Sequence, residues 1–137
     1  DIFDSNIENR ERITPKYVAN NILRIAENIQ KNSKYTKVYI QTVLPVDLNK
    51  YNEIKGNVPS HSIDLNKQII EINSILKLAQ TNSNIKIIDL YKIFVDQNGF
   101  INSEFSSDGI HLNETGYKIW IERLEPELFE LNKVYLN

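Results

Sequence analysis

An aspartate and a histidine three residues apart are the side chains of this sequence best suited to chemistry. Asp108 and His111 lie in the stretch SSDGIHLNETGYKIW, which leads into a predicted helix. At this spacing the carboxylate can accept from the imidazole Nδ1–H and stabilise the imidazolium, so that Nε2 can take a proton from a nucleophile. Histidine suits such transfer because it titrates near neutrality. On spacing alone, a polar turn that caps the helix is the more common explanation.

Two serines and the second histidine are further candidates. Ser106 and Ser107 lie close to His111, but neither follows the sharp strand-to-helix turn that exposes a catalytic hydroxyl. We therefore interpret both as residues of a polar turn. His61 lies in a polar loop, where it could contact substrate, but we interpret it as an ordinary solvent-exposed histidine.

The remaining candidates are two aspartates and two aromatic residues. Asp47 and Asp89 lie at the ends of predicted strands, and Asp89 is an alternative partner for a catalytic base. Asp108 is preferred because it lies in the same loop as the histidine, so no other segment is needed to bring the two side chains together. Tyr117 and Trp120 lie at i and i+3 of a predicted helix, and we expect both to pack against the sheet.

The first half of the chain predicts a helix, a strand and a loop. Thr14 followed by Pro15 is typical of a helix start, and apolar residues then recur at helical spacing over about 15–32. Lys37–Leu44 is β-branched and aromatic with bulky residues on both faces, which predicts a strand buried on both sides. Residues 46–61 are polar, which predicts a long loop.

The second half repeats the alternation of helix and strand. Apolar spacing predicts a helix over about 62–80, and Ile85–Leu90 predicts a second buried strand. Asn113 is suited to cap a third helix over about 114–124. Pro126 is expected to end that helix and to begin a last short one, because proline fits a first turn but not an interior.

Strands that alternate with helices predict an α/β fold: a flavodoxin-like, three-layer α/β/α arrangement around a parallel sheet. In such sheets ligands bind at the carboxyl ends of the strands, where the 46–61 loop and the Asp108–His111 segment both lie. Two strands buried on both faces need neighbours, since a two-stranded parallel sheet is unstable alone. We therefore expect only part of the sheet to be present in this chain.

Composition excludes several classes of protein. Hydrophobic residues make up 41% of the 137, charged residues make up 25%, and the net charge is −2. Without a dense lysine and arginine stripe, we expect no nucleic-acid partner. No apolar run is long enough for a membrane span. There are no cysteines and no cluster of metal ligands, so we predict no metal and no cofactor.

Three stretches resemble a known family. DGIHLNETGYKIW resembles the final sequence block of SGNH (GDSL) hydrolases, D-G-x-H-L-N-x-x-G-Y-x-x-W. VYIQTVLPV is similar to the strand of that family that ends in a Leu-Pro step. The segment that leads into the histidine block of the family is similar to IKIIDLYKIFVDQNGFINSEFSSDGIHL. The resemblance is closest to acylhydrolases and carbohydrate O-acetylesterases. It implies that His111 is a general base and that Asp108 is its orienting acid.

The same resemblance implies that part of the domain lies elsewhere. The family carries its nucleophilic serine in G-D-S and an oxyanion asparagine in G-x-N-D, and neither motif occurs in the 137 residues. Asp1-Ile2-Phe3 resembles the tail of a G-x-N-D-I-F run. We therefore expect residues 1–137 to be the C-terminal portion of a single SGNH hydrolase domain, with the missing N-terminal segment as its partner.

The resulting hypothesis is a serine esterase of which this chain carries the histidine and the aspartate. Its substrate would be a small-molecule or carbohydrate ester of a short acyl group such as acetyl, and the chain alone would be inactive. The alternative is a non-catalytic α/β domain that binds or interacts without chemistry. A flavodoxin-like phosphate or cofactor binder is disfavoured, because no glycine-rich loop follows either predicted strand.

Overall fold

The computed structural model describes residues 13–56, 65–79 and 84–135. In chain order its elements are α1 (Pro15–Asn32), β1 (Val38–Gln41), α2 (Leu48–Lys55), α3 (Leu65–Leu78), β2 (Ile85–Ile88), α4 (Tyr91–Phe94) and α5 (Glu114–Tyr135). None of the helices in these ranges is both long enough and apolar enough to cross a membrane.

The two strands form a parallel sheet with helices on both faces. β1 and β2 pair in a register that sets Val38 opposite Ile85. One face of the sheet, including Ile40 and Ile87, packs with α1 and α3 in one apolar cluster. On the opposite face, Ile88 belongs to a cluster that includes residues of α5. The predicted α/β class, three layers around a parallel sheet, is confirmed for the described residues.

Helix α1 begins and ends where the sequence predicts. The Thr14 hydroxyl accepts a hydrogen bond from the Tyr17 N–H at 3.1 Å, and Pro15 occupies the first turn. Such a cap satisfies one of the N–H groups that a helix start leaves unpaired. Ala19 and Ala26 are buried against the sheet, because their small side chains let the helix approach closely.

Both strands are shorter than predicted, and at the carboxyl end of β1 side chains take over the backbone hydrogen bonds. The buried amide of Asn73 pairs with both the N–H and the carbonyl of Val43, at 2.7 and 2.8 Å. Asn66, two turns earlier on α3, pairs in the same way with Val46 at 2.9 and 2.7 Å. The segment after β1 is therefore held rigidly by α3 although it is no longer part of the sheet.

The prediction of a continuous loop over 46–61 was wrong, because α2 occupies residues 48–55. Asp47 caps this helix by accepting a hydrogen bond from the Lys50 N–H at 3.1 Å. Gly56, with a φ of 65°, ends it. None of its eight residues is buried, so α2 lacks the apolar stripe by which a helix is recognised in a sequence. Residues 57–61 lie outside the described ranges.

The prediction that Pro126 ends the third helix was also wrong, since α5 continues through it to Tyr135. An interior proline removes one helical hydrogen bond and costs about 3 kcal/mol. Contacts next to the proline hold this part of the helix on the sheet. The Glu127 carboxylate accepts hydrogen bonds from Lys86 of β2 and from Arg123, and its carbonyl accepts one from the Tyr39 hydroxyl.

Candidate active site

The loop before α5 holds Asp108 in one orientation. Its Oδ1 accepts hydrogen bonds from the backbone N–H groups of Ile110 and His111, at 3.0 and 2.8 Å. Its Oδ2 lies 2.7 Å from Nδ1 of the His111 ring. The backbone therefore aims one carboxylate oxygen, and the other oxygen is left to orient the imidazole.

The imidazole is accessible to a bound molecule. The side chain of His111 is 73% exposed, whereas that of Asp108 is 21% exposed. Because the carboxylate contact uses Nδ1, it leaves Nε2 as the ring nitrogen that can exchange a proton with another group. A shielded carboxylate at Nδ1 and an accessible Nε2 match the arrangement in which an aspartate orients a histidine that acts as a general base.

Hydrogen bonding to the charged carboxylate holds the pKa of Asp108 well below its usual range. The largest cause is the contact with the His111 side chain, followed by the backbone N–H of the same residue. Both interactions favour the ionised form. Asp108 is therefore a carboxylate at neutral pH, as a residue that stabilises an imidazolium must be.

This lowered pKa predicts an acid-sensitive contribution to stability. The Asp108 carboxyl takes up its proton at a higher pH in the unfolded chain than in the folded chain. The ionised carboxylate therefore stabilises the fold above about pH 4, and this stabilisation is lost as the pH falls through the pKa of the folded state. Below about pH 4, we expect the free energy of unfolding to fall less steeply with decreasing pH in Asp108→Asn than in the wild type. Urea unfolding at a series of pH values measures that slope. Glu53→Gln, at an exposed carboxyl of α2, is the control. Equal slopes for wild type and Asp108→Asn would contradict the assignment.

Gly109 is where the segments that follow the two strands meet. Its φ is 87°, and its carbonyl accepts a hydrogen bond from the Asp47 N–H at 2.7 Å. A Cβ atom on this residue would lie 2.2 Å from the Asp47 carbonyl oxygen. Only glycine accommodates both the backbone conformation and this approach.

The predicted helix cap lies directly beyond the histidine. Asn113 Oδ1 accepts a hydrogen bond from the Gly116 N–H at 2.9 Å, and its Nδ2 donates to the Glu104 carbonyl at 2.9 Å. The stretch thus contains both a helix cap and an aspartate–histidine pair. On spacing alone these were alternative explanations of the same residues.

The other candidate residues have different surroundings. Ser106 is completely buried, and its hydroxyl accepts a hydrogen bond from the Gly109 N–H at 2.9 Å. Ser107 is exposed in the same turn.

The two other candidate aspartates have their own partners. The Asp89 Oδ2 atom lies 2.9 Å from the Lys77 Nζ atom, and Asp47 caps α2. Neither aspartate is brought to the histidine ring. His61 lies outside the described ranges.

The two aromatic residues of α5 differ from each other. Trp120 packs in the apolar cluster on the α5 side of the sheet, and its Nε1 donates to Gln41 of β1 at 2.9 Å. Tyr117 is 53% exposed and contacts the Trp120 ring edge-on at 6.2 Å. The prediction of packing against the sheet was therefore correct for Trp120 and wrong for Tyr117.

In the described ranges, no three acidic or histidine side chains gather as they would to hold a metal ion.

Sequence reasoning missed Lys50. Its Nζ donates to the Ser106 carbonyl at 2.9 Å and so joins α2 to the loop that carries the aspartate and the histidine. The available signal was an aspartate three residues before the lysine, which is typical of a helix cap. That signal would have revealed α2, but not the contact of the lysine side chain.

Comparisons with known proteins bear on the family and on the fold. The sequence model of the GDSL-like lipase/acylhydrolase family matches residues 1–124. A Streptococcus pneumonia protein provisionally named as a platelet activating factor shares the fold, with a TM-score of 0.69 and 22% identity over 86% of this chain and 53% of its own. A GDSL-like lipase from Bacteroides thetaiotaomicron VPI-5482 has a TM-score of 0.66 and 24% identity over 88% of this chain and 55% of its own.

The chain spans about half the length of these two solved structures. No curated protein matches it significantly. The family match, in contrast, extends over most of the sequence and includes both Asp108 and His111. The chain therefore belongs to the GDSL-like lipase/acylhydrolase family.

Proposed function

We propose that the intact protein is a serine esterase that hydrolyses short acyl esters, acetyl esters above all, of a small molecule or a carbohydrate. In this proposal His111 is the general base and Asp108 orients it. The observation that carries the proposal is the 2.7 Å contact between Asp108 Oδ2 and His111 Nδ1, made by a carboxylate that backbone N–H groups already hold.

The reaction would proceed through an acyl-enzyme. The serine hydroxyl attacks the ester carbonyl while His111 Nε2 takes its proton, and the Asp108 carboxylate stabilises the resulting imidazolium. The tetrahedral intermediate collapses as the imidazolium passes the proton to the leaving alcohol. Water then attacks the acyl-enzyme, again giving a proton to His111, and that proton returns to the serine as the acid is released.

The nucleophile and the oxyanion donors would belong to an N-terminal segment of the same domain. The 137 residues contain no G-D-S or G-x-N-D, and the sole buried serine side chain among the described residues, Ser106, already bonds within its own loop. That segment would reach this chain either as part of one longer polypeptide or as a separate fragment. Residues 1–137 alone would have no esterase activity.

Two apolar surfaces beside β1 support such a partner. A groove between α1 and β1 is lined by side chains that include Ile25 and Ile29, which are 60% and 41% exposed. On the opposite face, Ile121 and Phe129 of α5 are 53% and 57% exposed. Within the described ranges β1 pairs with β2 alone. A further apolar strand on the free edge of β1, with its own flanking chain, would cover both surfaces.

The test compares the turnover of a short-chain aryl ester by the full-length protein and by residues 1–137. We expect hydrolysis by the full-length protein and none above background by the shorter chain, because the histidine has no serine to activate there. Circular dichroism of the shorter chain separates loss of chemistry from loss of fold. Turnover by the shorter chain that disappears in its His111→Ala variant would contradict the assignment of the nucleophile to another segment.

A further inference from the structure

We propose that Lys50 is a positioning residue for the Asp108–His111 pair: its side chain reaches from α2 and fixes the loop on which the pair is built. The inference rests on the proposed function, because positioning matters for rate only if the pair takes part in the reaction. Lys50 itself makes no contact with the imidazole and would act through the backbone of Ser106.

Lys50 is held at two points. Its backbone N–H donates to Asp47 Oδ1 at 3.1 Å, and its Nζ donates to the Ser106 carbonyl at 2.9 Å. The side chain is partly buried, so this charged donor is in part withdrawn from competing water. Hydrogen bonds from a charged donor are shorter and stronger than neutral ones. The lysine is therefore suited to fix the loop in one position.

Ser106 transmits that position to the aspartate. It is completely buried, and its backbone forms a bridge with Leu112 that closes the turn around the pair. Its hydroxyl accepts from the Gly109 N–H at 2.9 Å and lies 3.5 Å from Asp108 Oδ1. A shift of the Ser106 backbone would consequently move the Asp108 carboxylate and, through the contact at Nδ1, the imidazole.

The contact of Lys50 is not one that the fold needs. None of the residues of α2 is buried, so the helix contributes little to the apolar core. The Asp47 N–H to Gly109 carbonyl hydrogen bond, at 2.7 Å, still joins the two segments when the lysine side chain is shortened. Loss of the Nζ donor should therefore loosen the geometry of the pair without unfolding the protein.

The experiment uses Lys50→Met, Lys50→Arg and the control Lys31→Met, which removes an exposed lysine at the last turn of α1. In the full-length protein we expect Lys50→Met to lower kcat roughly 10-fold with KM unchanged, because a small misplacement of catalytic groups acts on the transition state. Lys50→Arg, which keeps a charged donor, should recover most of the rate, and Lys31→Met should match the wild type.

A spectroscopic readout separates positioning from stability. In protein labelled with ¹⁵N in its histidine rings, the Nδ1–H tautomer of His111 should be less populated in Lys50→Met than in the wild type. Unchanged kcat and unchanged ring signals in Lys50→Met would overturn the inference, and so would a Lys50→Arg variant as impaired as Lys50→Met. If His111→Gln keeps full turnover, the proposed function fails, whereas the ring signals of Lys50→Met still decide whether Lys50 positions the pair.

Discussion

Replacement of His111 by glutamine in the full-length protein is expected to lower kcat/KM for a short-chain aryl ester by about three orders of magnitude or more. Glutamine fills a similar volume and can still donate hydrogen bonds, but it cannot accept a proton near neutral pH. The serine would then have to attack without a base. Because the side chain is 73% exposed, the substitution should leave the fold intact.

The other histidine of the chain is the matched control. His61→Gln removes an imidazole that the sequence does not pair with Asp108, and we expect it to retain nearly all of the wild-type rate. Steady-state kinetics of both variants, with circular dichroism to verify folding, compare the two positions directly. Near-normal turnover by His111→Gln would remove the histidine from the mechanism, and an equal loss in both variants would indicate a general effect on the protein.

Gly109→Ala is expected to have the second-largest effect, on both stability and activity. Its φ of 87° lies in the left-handed region, where a side chain costs about 1–2 kcal/mol. The added Cβ would in addition lie 2.2 Å from the Asp47 carbonyl oxygen, so the two segments must move apart. This movement displaces Asp108, and we expect kcat of the full-length protein to fall roughly 100-fold.

Gly99 offers a control with nearly the same backbone. Its φ is 84°, but a Cβ atom there would meet nothing within 4 Å. Gly99→Ala therefore measures the cost of the left-handed conformation without the close approach. Urea unfolding and kcat of the two variants separate these effects. If Gly109→Ala were as stable and as active as Gly99→Ala, the meeting of the two segments would have no role in the site.

The sequence predicted those features that depend on neighbours along the chain. α1 was recognisable from Thr14, Pro15 and a regular apolar stripe, and its bounds agree with the structure. The aspartate–histidine contact was predictable for the same reason, because both side chains belong to one turn. The cap at Asn113 likewise requires only the next three residues.

Features that depend on distant residues could not be predicted in this way. Lys50 and Ser106 are 56 positions apart, and their contact exists only because the segments after β1 and β2 meet at the same end of the sheet. The shortening of β1 likewise depends on Asn73, which reaches the backbone of Val43 from another element. Continuation of α5 through Pro126 depends on contacts with β2, whereas local propensity alone favours a break there.

The central claim, that this chain supplies the base for a serine located outside residues 1–137, is tested most directly by covalent labelling. The full-length protein is treated with a fluorophosphonate, which forms a stable bond with an activated serine, and the modified residue is located by mass spectrometry. We predict one modified serine in the segment outside residues 1–137, and none in the His111→Gln variant. Modification of Ser106 or Ser107, or labelling that is unaffected by His111→Gln, would contradict the claim.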